Sequence, residues 1–197
     1  MNEVELNNLR RAGNIAAQAL VLGQDMVAEG VRLLDVAEEV EAYIISKGAK
    51  PAFPVNLSIN EVAAHFTPKT NDRSVFDAGD VVKIDVGAHV EGMIGDTAAT
   101  VEVSTKRHHD MIASAKKARD IVMEIIGDGM PLSNIGQAVE GSIKADGFLP
   151  VANLTGHEVK CYDLHAGLTV PNVDDGNDDR VRDGMVLAVE PFVTNGD

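Results

Sequence analysis

A long stretch of this chain recurs with its spacing intact. Gly30–Pro51 set above Gly129–Pro150, a constant offset of 99 residues, gives matches at Gly30/Gly129, Leu33/Leu132, Val40/Val139, Glu41/Glu140, Ile44/Ile143, Gly48/Gly147 and Pro51/Pro150. Farther on, Asn56-Leu57-Ser58 echoes Asn153-Leu154-Thr155, His65 precedes His165 by 100 residues, and Ala78–Asp85 aligns with Asp183–Glu190. A duplicated unit folds twice and packs about a pseudo-twofold axis. That restricts the chain to folds with two like halves. It also brings equivalent acids such as Asp85 and Glu190 toward the axis, where meeting carboxylates need a cation.

The 197 residues suffice for one domain with a substantial core. The formal charge of −14 provides no basic face and excludes a general nucleic-acid binder. No apolar run reaches membrane-spanning length. The start, Met1-Asn2-Glu3-Val4-Glu5, lacks the basic-then-apolar order of a secretory signal. A single cysteine, Cys161, excludes an internal disulfide framework and suits a reducing cytoplasm. It is expected to be a buried small apolar side chain. The acids of Asp174–Asp179 do not follow the alternation of a calcium loop, which predicts a solvated turn.

Apolar spacing predicts helices over Leu6–Val27, Leu33–Lys47 and Ile112–Ile126, and a fourth helix that Gly147 closes. Asp35 with Glu38, and Asn134 with Gln137, read as caps of the second and fourth. Strands are expected at Val81–Val86, Met93–Val103 and Val186–Val189. Each half therefore runs helix, helix, strands. The prediction is one α/β (α+β) domain over residues 1–197, with repeat 1 at about 1–104 and repeat 2 at about 105–197. Its helices lie outside a shared, central antiparallel sheet, and its second half is incomplete.

Asp85 and Asp96 flank a hairpin. A turn at Val90-Glu91 sets them directly opposite on one face, about 5 Å apart, where two carboxylates repel unless a proton or cation intervenes. Glu190 ends an apolar strand, where an acid is paired or metal-bound. His157 opens another strand. Alone it reads as a hydrogen-bonded core histidine, but beside three convergent carboxylates it reads as a ligand. Oxygen-rich ligation with one imidazole suits Mn, Fe, Co or Zn. Three acids hold two such ions only if one acid bridges, and the pair generates a hydroxide nucleophile and polarises a carbonyl. His65 and His165 would flank the substrate.

The motifs Ala52-Phe53-Pro54, Asn60–Pro68, Lys83-Ile84-Asp85-Val86-Gly87, Gly95-Asp96-Thr97-Ala98, Asn153–His157, Leu164-His165-Ala166-Gly167 and Val189-Glu190-Pro191-Phe192 together resemble the type II methionine aminopeptidases. The likeness is strongest to the short archaeal form. It implies the pita-bread fold and two divalent metal ions on Asp85, Asp96, His157 and Glu190. It implies that His65 and His165 are catalytic and contact the substrate. By the same resemblance Phe53, Leu164 and Phe192 wall the pocket for the methionine side chain, with core packing as the competing account. The implied activity is removal of the initiator methionine from peptides and nascent chains by a cytoplasmic monomer. It would meet the ribosome only transiently and bind neither membrane nor nucleic acid. The alternatives are a proline-specific peptidase of the same fold and a non-catalytic binding protein. The family carries a fifth ligand, a bridging glutamate, beyond the point where this chain stops. Either the chain is a fragment of a longer protein or it is a truncated relative with a defective site; the expectation is the fragment, inactive as it stands.

Overall fold

Helical spacing in the first thirty residues and β-branched alternation after residue 80 build the first of two compact units, Met1–His108 and His109–Asp197, in a computed structural model that describes residues 1–196. In the first unit α1 (Glu3–Met26) starts at a reciprocal cap. Asn2 Oδ1 accepts from Glu5 N (3.0 Å) and the Glu5 carboxylate accepts from Asn2 N (2.8 Å). Its stripe of Ala12, Ile15, Ala16, Ala19, Leu20 and Gly23 is buried. After α2 (Leu33–Ser46) come β1 (Lys50–Pro51), β2 (Asn56–Ile59), β3 (Val81–Val90) and β4 (Met93–Glu102). β3 pairs antiparallel with β1, β2 and β4. Phe76, Leu33, Ile44, Leu57 and Ile84 are the largest fully buried side chains of this core.

The second unit repeats the plan. It runs α3 (His109–Ile125), α4 (Leu132–Ala145), β5 (Leu149–Pro150), β6 (Gly156–Val159), β7 (Thr169–Val170), β8 (Val186–Ala188) and β9 (Val193–Thr194). β6 pairs with β7 and β8, and β5 pairs with β9. Leu132, Ile135, Val139 and Ile143 are fully buried in a separate core. The strand ladders described thus run inside each unit, as a four-stranded sheet in the first and sheets of three and two strands in the second. No helix among the described residues is long and apolar enough to cross a membrane.

The duplication read from the sequence is also a duplication of hydrogen bonds. Gly30 N donates to Phe76 O, Phe76 N to Val31 O and Leu33 N to Ser74 O. In the other unit Gly129 N donates to Val181 O, Val181 N to Met130 O and Leu132 N to Asp179 O. The repeated glutamates each accept from a loop backbone N–H, Glu41 from Val55 N (3.1 Å) and Glu140 from Asp174 N (3.1 Å), and Glu140 also binds the Lys144 ammonium. The repeated Gly48 and Gly147 follow the ends of α2 and α4 with φ +74° and +84°, a conformation that costs a Cβ-bearing residue more.

Those backbone bonds correct the expected caps. The residues preceding the helices are Arg32 and Pro131, without side-chain capping bonds. Loop carbonyls already satisfy Leu33 N and Leu132 N, so Asp35 instead lies inside α2, bound to the Arg32 guanidinium. Asn134 likewise lies within α4. The hairpin is corrected too. Its turn is Glu91-Gly92, both with positive φ (+49° and +83°), which is the two-residue type I′ pattern. Val90 therefore pairs with Met93, Asp85 with Ala98, and Gly87 with Asp96. Asp85 and Asp96 share a face but are diagonal neighbours, not directly opposed, so their backbones lie about 7–8 Å apart. Cys161 is exposed rather than buried. It occupies a tight turn between Lys160 and Asp163, whose backbones exchange hydrogen bonds, with Tyr162 at φ +58°.

Candidate metal centre

The first unit contributes a half-buried acidic face. Asp85 sits on β3 between Asn56 of β2 and Ala98 of β4, and Asn56 Nδ2 donates to its Oδ2 at 3.4 Å. Asp96 lies on the same face, opposite Gly87. A Cβ built on Gly87 would come within 2.3 Å of Phe53 Cε1. The Phe53 ring therefore packs against the strand at Gly87, on the side that carries both carboxylates. No side chain larger than hydrogen at Gly87 leaves room for it. Asp85, Asp96 and Phe53 are thus brought together, and the apolar wall expected from sequence adjoins the acids.

His65 lies apart from regular structure, exposed, at φ +65°. For a branched-ring side chain this is uncommon backbone that its neighbours must hold. The next residue supplies the anchor: Phe66 O accepts from Leu57 N (2.7 Å) and Phe66 N donates to Ser58 Oγ (3.2 Å), tying the loop to β2. His165 is held in the corresponding manner. Ala166 N donates to Glu158 O at 2.8 Å, tying that loop to β6.

The second unit gathers three expected residues. His157 is buried on β6, opposite Ala188 of β8. Glu190 lies two residues beyond Ala188, and its Oε1 is 3.0 Å from His157 Nε2. The His165 ring packs edge-on against His157, centroids 4.3 Å apart. His157 Nδ1 lies 3.4 Å from Glu158 O, so each ring nitrogen faces an oxygen. Two ligands of a single ion, each about 2.1 Å from it and at right angles, are about 3.0 Å apart. A half-buried carboxylate and a neutral imidazole fit a borderline divalent cation in donor type and spacing. Leu164 and Phe192 are half-buried, and Phe192 O accepts from Val151 N at 2.9 Å.

Sequence reasoning missed two amides. Asn56 reads only as part of an echo, yet its side chain faces Asp85. Asn172 is buried, and its Nδ2 donates to Leu154 O (2.8 Å) and Glu190 O (2.7 Å). Its position after Val170-Pro171 offered no periodic signal.

A profile of metallopeptidase family M24 matches residues 7–197. The methionine aminopeptidase of Archaeoglobus fulgidus is 45% identical over 196 residues, which is 100% of this chain and 67% of that protein. That of Pyrococcus abyssi is 41% identical over 194 residues, 98% of this chain and 65% of that protein. The chain thus spans about two thirds of the length of these curated relatives. The crystal structure of methionine aminopeptidase from Thermotoga maritima superposes with a TM-score of 0.92 at 28% identity, covering 100% of this chain and 82% of that one. The prolidase from Pyrococcus horikoshii superposes with a TM-score of 0.82 at 24% identity, covering 96% and 55%. The fold is the pita-bread fold of these peptidases.

Proposed function

This chain belongs to metallopeptidase family M24, and on that premise we propose that the full-length protein is a metalloexopeptidase that removes the initiator methionine from nascent proteins and peptides. The observation that carries the reading is the 3.0 Å approach of His157 Nε2 to the Glu190 carboxylate beside the His165 ring, in a chain whose sequence kin are methionine aminopeptidases.

Asp85, Asp96, His157 and Glu190 act as the metal ligands in this reading. Carboxylates with a single imidazole accept Mn, Fe, Co or Zn, and two ions fit if a carboxylate is shared. When bound, the metal supplies Lewis acidity and an activated water at neutral pH. The protein's own groups do the rest. The free amino group of the substrate would be taken, as the uncharged amine, at the metal-bearing acidic face, which confines cleavage to the first residue. His65 and His165 donate hydrogen bonds to the scissile group and to the negative charge that develops on the carbonyl oxygen. Phe53, Leu164 and Phe192 wall the side-chain pocket. The Phe53 face suits a thioether, since sulfur–aromatic contacts contribute about 0.3–1.5 kcal/mol. Substrates are peptides and nascent chains that begin with methionine, met in the cytoplasm by a monomer in transient contact with the ribosome.

The test is release of methionine from Met-Ala-Ser by the metal-loaded full-length protein. Asp85→Asn is expected to abolish it together with metal uptake. A retained rate contradicts the ligand role, and cleavage of Xaa-Pro peptides instead assigns the chain to the proline-specific branch of the fold.

A further inference from the structure

Glu190 lies outside the ladder that would fix its backbone. The last β6–β8 pair is His157 with Ala188, and the next tie is Val151 N to Phe192 O, where the chain joins the β5–β9 sheet. Between these two ties the chain crosses from one sheet of the second unit to the other, with Glu190 in the crossing. The group that holds it there is the buried side chain of Asn172, 2% exposed. One amide nitrogen uses both its protons: one goes to Glu190 O at 2.7 Å and one to Leu154 O at 2.8 Å. Leu154 belongs to the loop that leads into β6 and His157. A single side chain thus joins the peptide of Glu190 to the loop preceding His157.

We propose that Asn172 is a positioning residue for the metal centre: its amide fixes the peptide of Glu190 relative to the β6 entry loop, and so aims the Glu190 carboxylate at the ion shared with His157. This inference rests on the reading of Glu190 as a ligand. Rotation about the Glu190 backbone would swing the carboxylate away from His157 Nε2, and the two carbonyls that Asn172 holds have no freedom to follow independently. Neighbours that orient metal ligands in this way typically change metal affinity 10–100-fold when they are altered.

The test uses Co2+ added to the metal-free full-length protein, followed by visible absorption. Asn172→Asp keeps the shape and loses both donors. Asn172→Leu loses them without adding charge. Both are expected to bind Co2+ about 10–100-fold more weakly than the parent and to shift its visible bands. Ile143→Val, a change in the core of the same unit at a residue with no place in the proposed metal site, should lower the melting temperature and leave affinity and bands unchanged. Glu190→Gln separates the two claims. If it binds Co2+ like the parent, Glu190 is no ligand and this inference falls with that reading. If Glu190→Gln binds weakly while folded Asn172→Asp and Asn172→Leu match the parent, Asn172 is structural only. Should neither variant fold, Asn172→Ser, which keeps one donor, reads the same quantity. Intermediate affinity supports the proposal, and parental affinity overturns it.

Discussion

Replacing Gly87 with alanine tests how tightly the pocket wall is fitted to the acidic strand. The new methyl carbon would lie 2.3 Å from Phe53 Cε1, 2.6 Å from Cδ1 and 2.9 Å from Cζ. Comfortable carbon–carbon separation is about 3.5–4.0 Å, so the ring must retreat by more than about 1 Å. Overpacking of that size costs about 1–3 kcal/mol. The alanine itself returns about 0.5–1 kcal/mol, because glycine is a poor strand residue and the backbone at position 87 is not left-handed. Gly87→Ala alone should therefore destabilise by up to about 2.5 kcal/mol. In a Phe53→Ala background the methyl enters vacated space and only the gain remains, so the same change should stabilise by about 0.5–1 kcal/mol. The coupling energy between the two sites is then about 1–3 kcal/mol, with the double variant more stable than the sum of the singles. Urea unfolding at 25 °C, read as midpoint shifts at a common slope, measures it. Additivity within about 0.5 kcal/mol would show that the ring does not rest on Gly87 and that the wall lies elsewhere.

Gly95→Ala should destabilise more than Gly87→Ala. Its Cβ would lie 2.5 Å from Gly13 Cα, in helix backbone that cannot swing aside, and thermal unfolding of the two variants compares them directly. Burial pushes the Lys83 ammonium down to about 8, against a weaker opposing pull from Glu61. The unfolded chain then binds more protons between pH 8 and the ordinary lysine value of 10.5, so this group's contribution to stability rises with pH across that window. Lys83→Met should remove the rise in the metal-free protein, and an unchanged pH profile would refute the assignment. His65→Ala should leave metal content nearly intact and depress kcat by roughly 10²-fold or more, whereas loss of the metal would make His65 a ligand.

The helices were legible because α1 to α4 carry apolar residues at helical spacing, and β3, β4 and β8 because apolar runs end in turn residues. The pairing of loop to helix start was legible only indirectly. The repeat marks Gly30/Gly129 and Glu41/Glu140 without saying that each binds backbone. Hairpin register was misread because Val90-Glu91 and Glu91-Gly92 are both plausible tips. Only the pair of positive φ angles at Glu91 and Gly92 decides between them, and that choice moves Asp96 from Asp85 to Gly87. Cys161 reads as buried by residue type, yet a turn held by Lys160 and Asp163 turns it outward. Candidate ligands were legible because an acid at the end of an apolar strand is costly without a partner. Asn56 and Asn172 were not, since an amide acts through a neighbouring acid or backbone carbonyls and leaves no pattern along the chain.

The proposed activity requires that acids from β3 and β4 serve the same ion as His157 and Glu190. Crystals of the metal-free protein soaked in Co2+ and measured at the cobalt absorption edge test this most directly. The expected result is an anomalous peak about 2.0–2.2 Å from His157 Nε2 and from carboxylate oxygens of Glu190 and Asp96, with Asp85 on the same or an adjoining ion. Cobalt bound elsewhere, or by His157 and Glu190 with neither aspartate in reach, would contradict it.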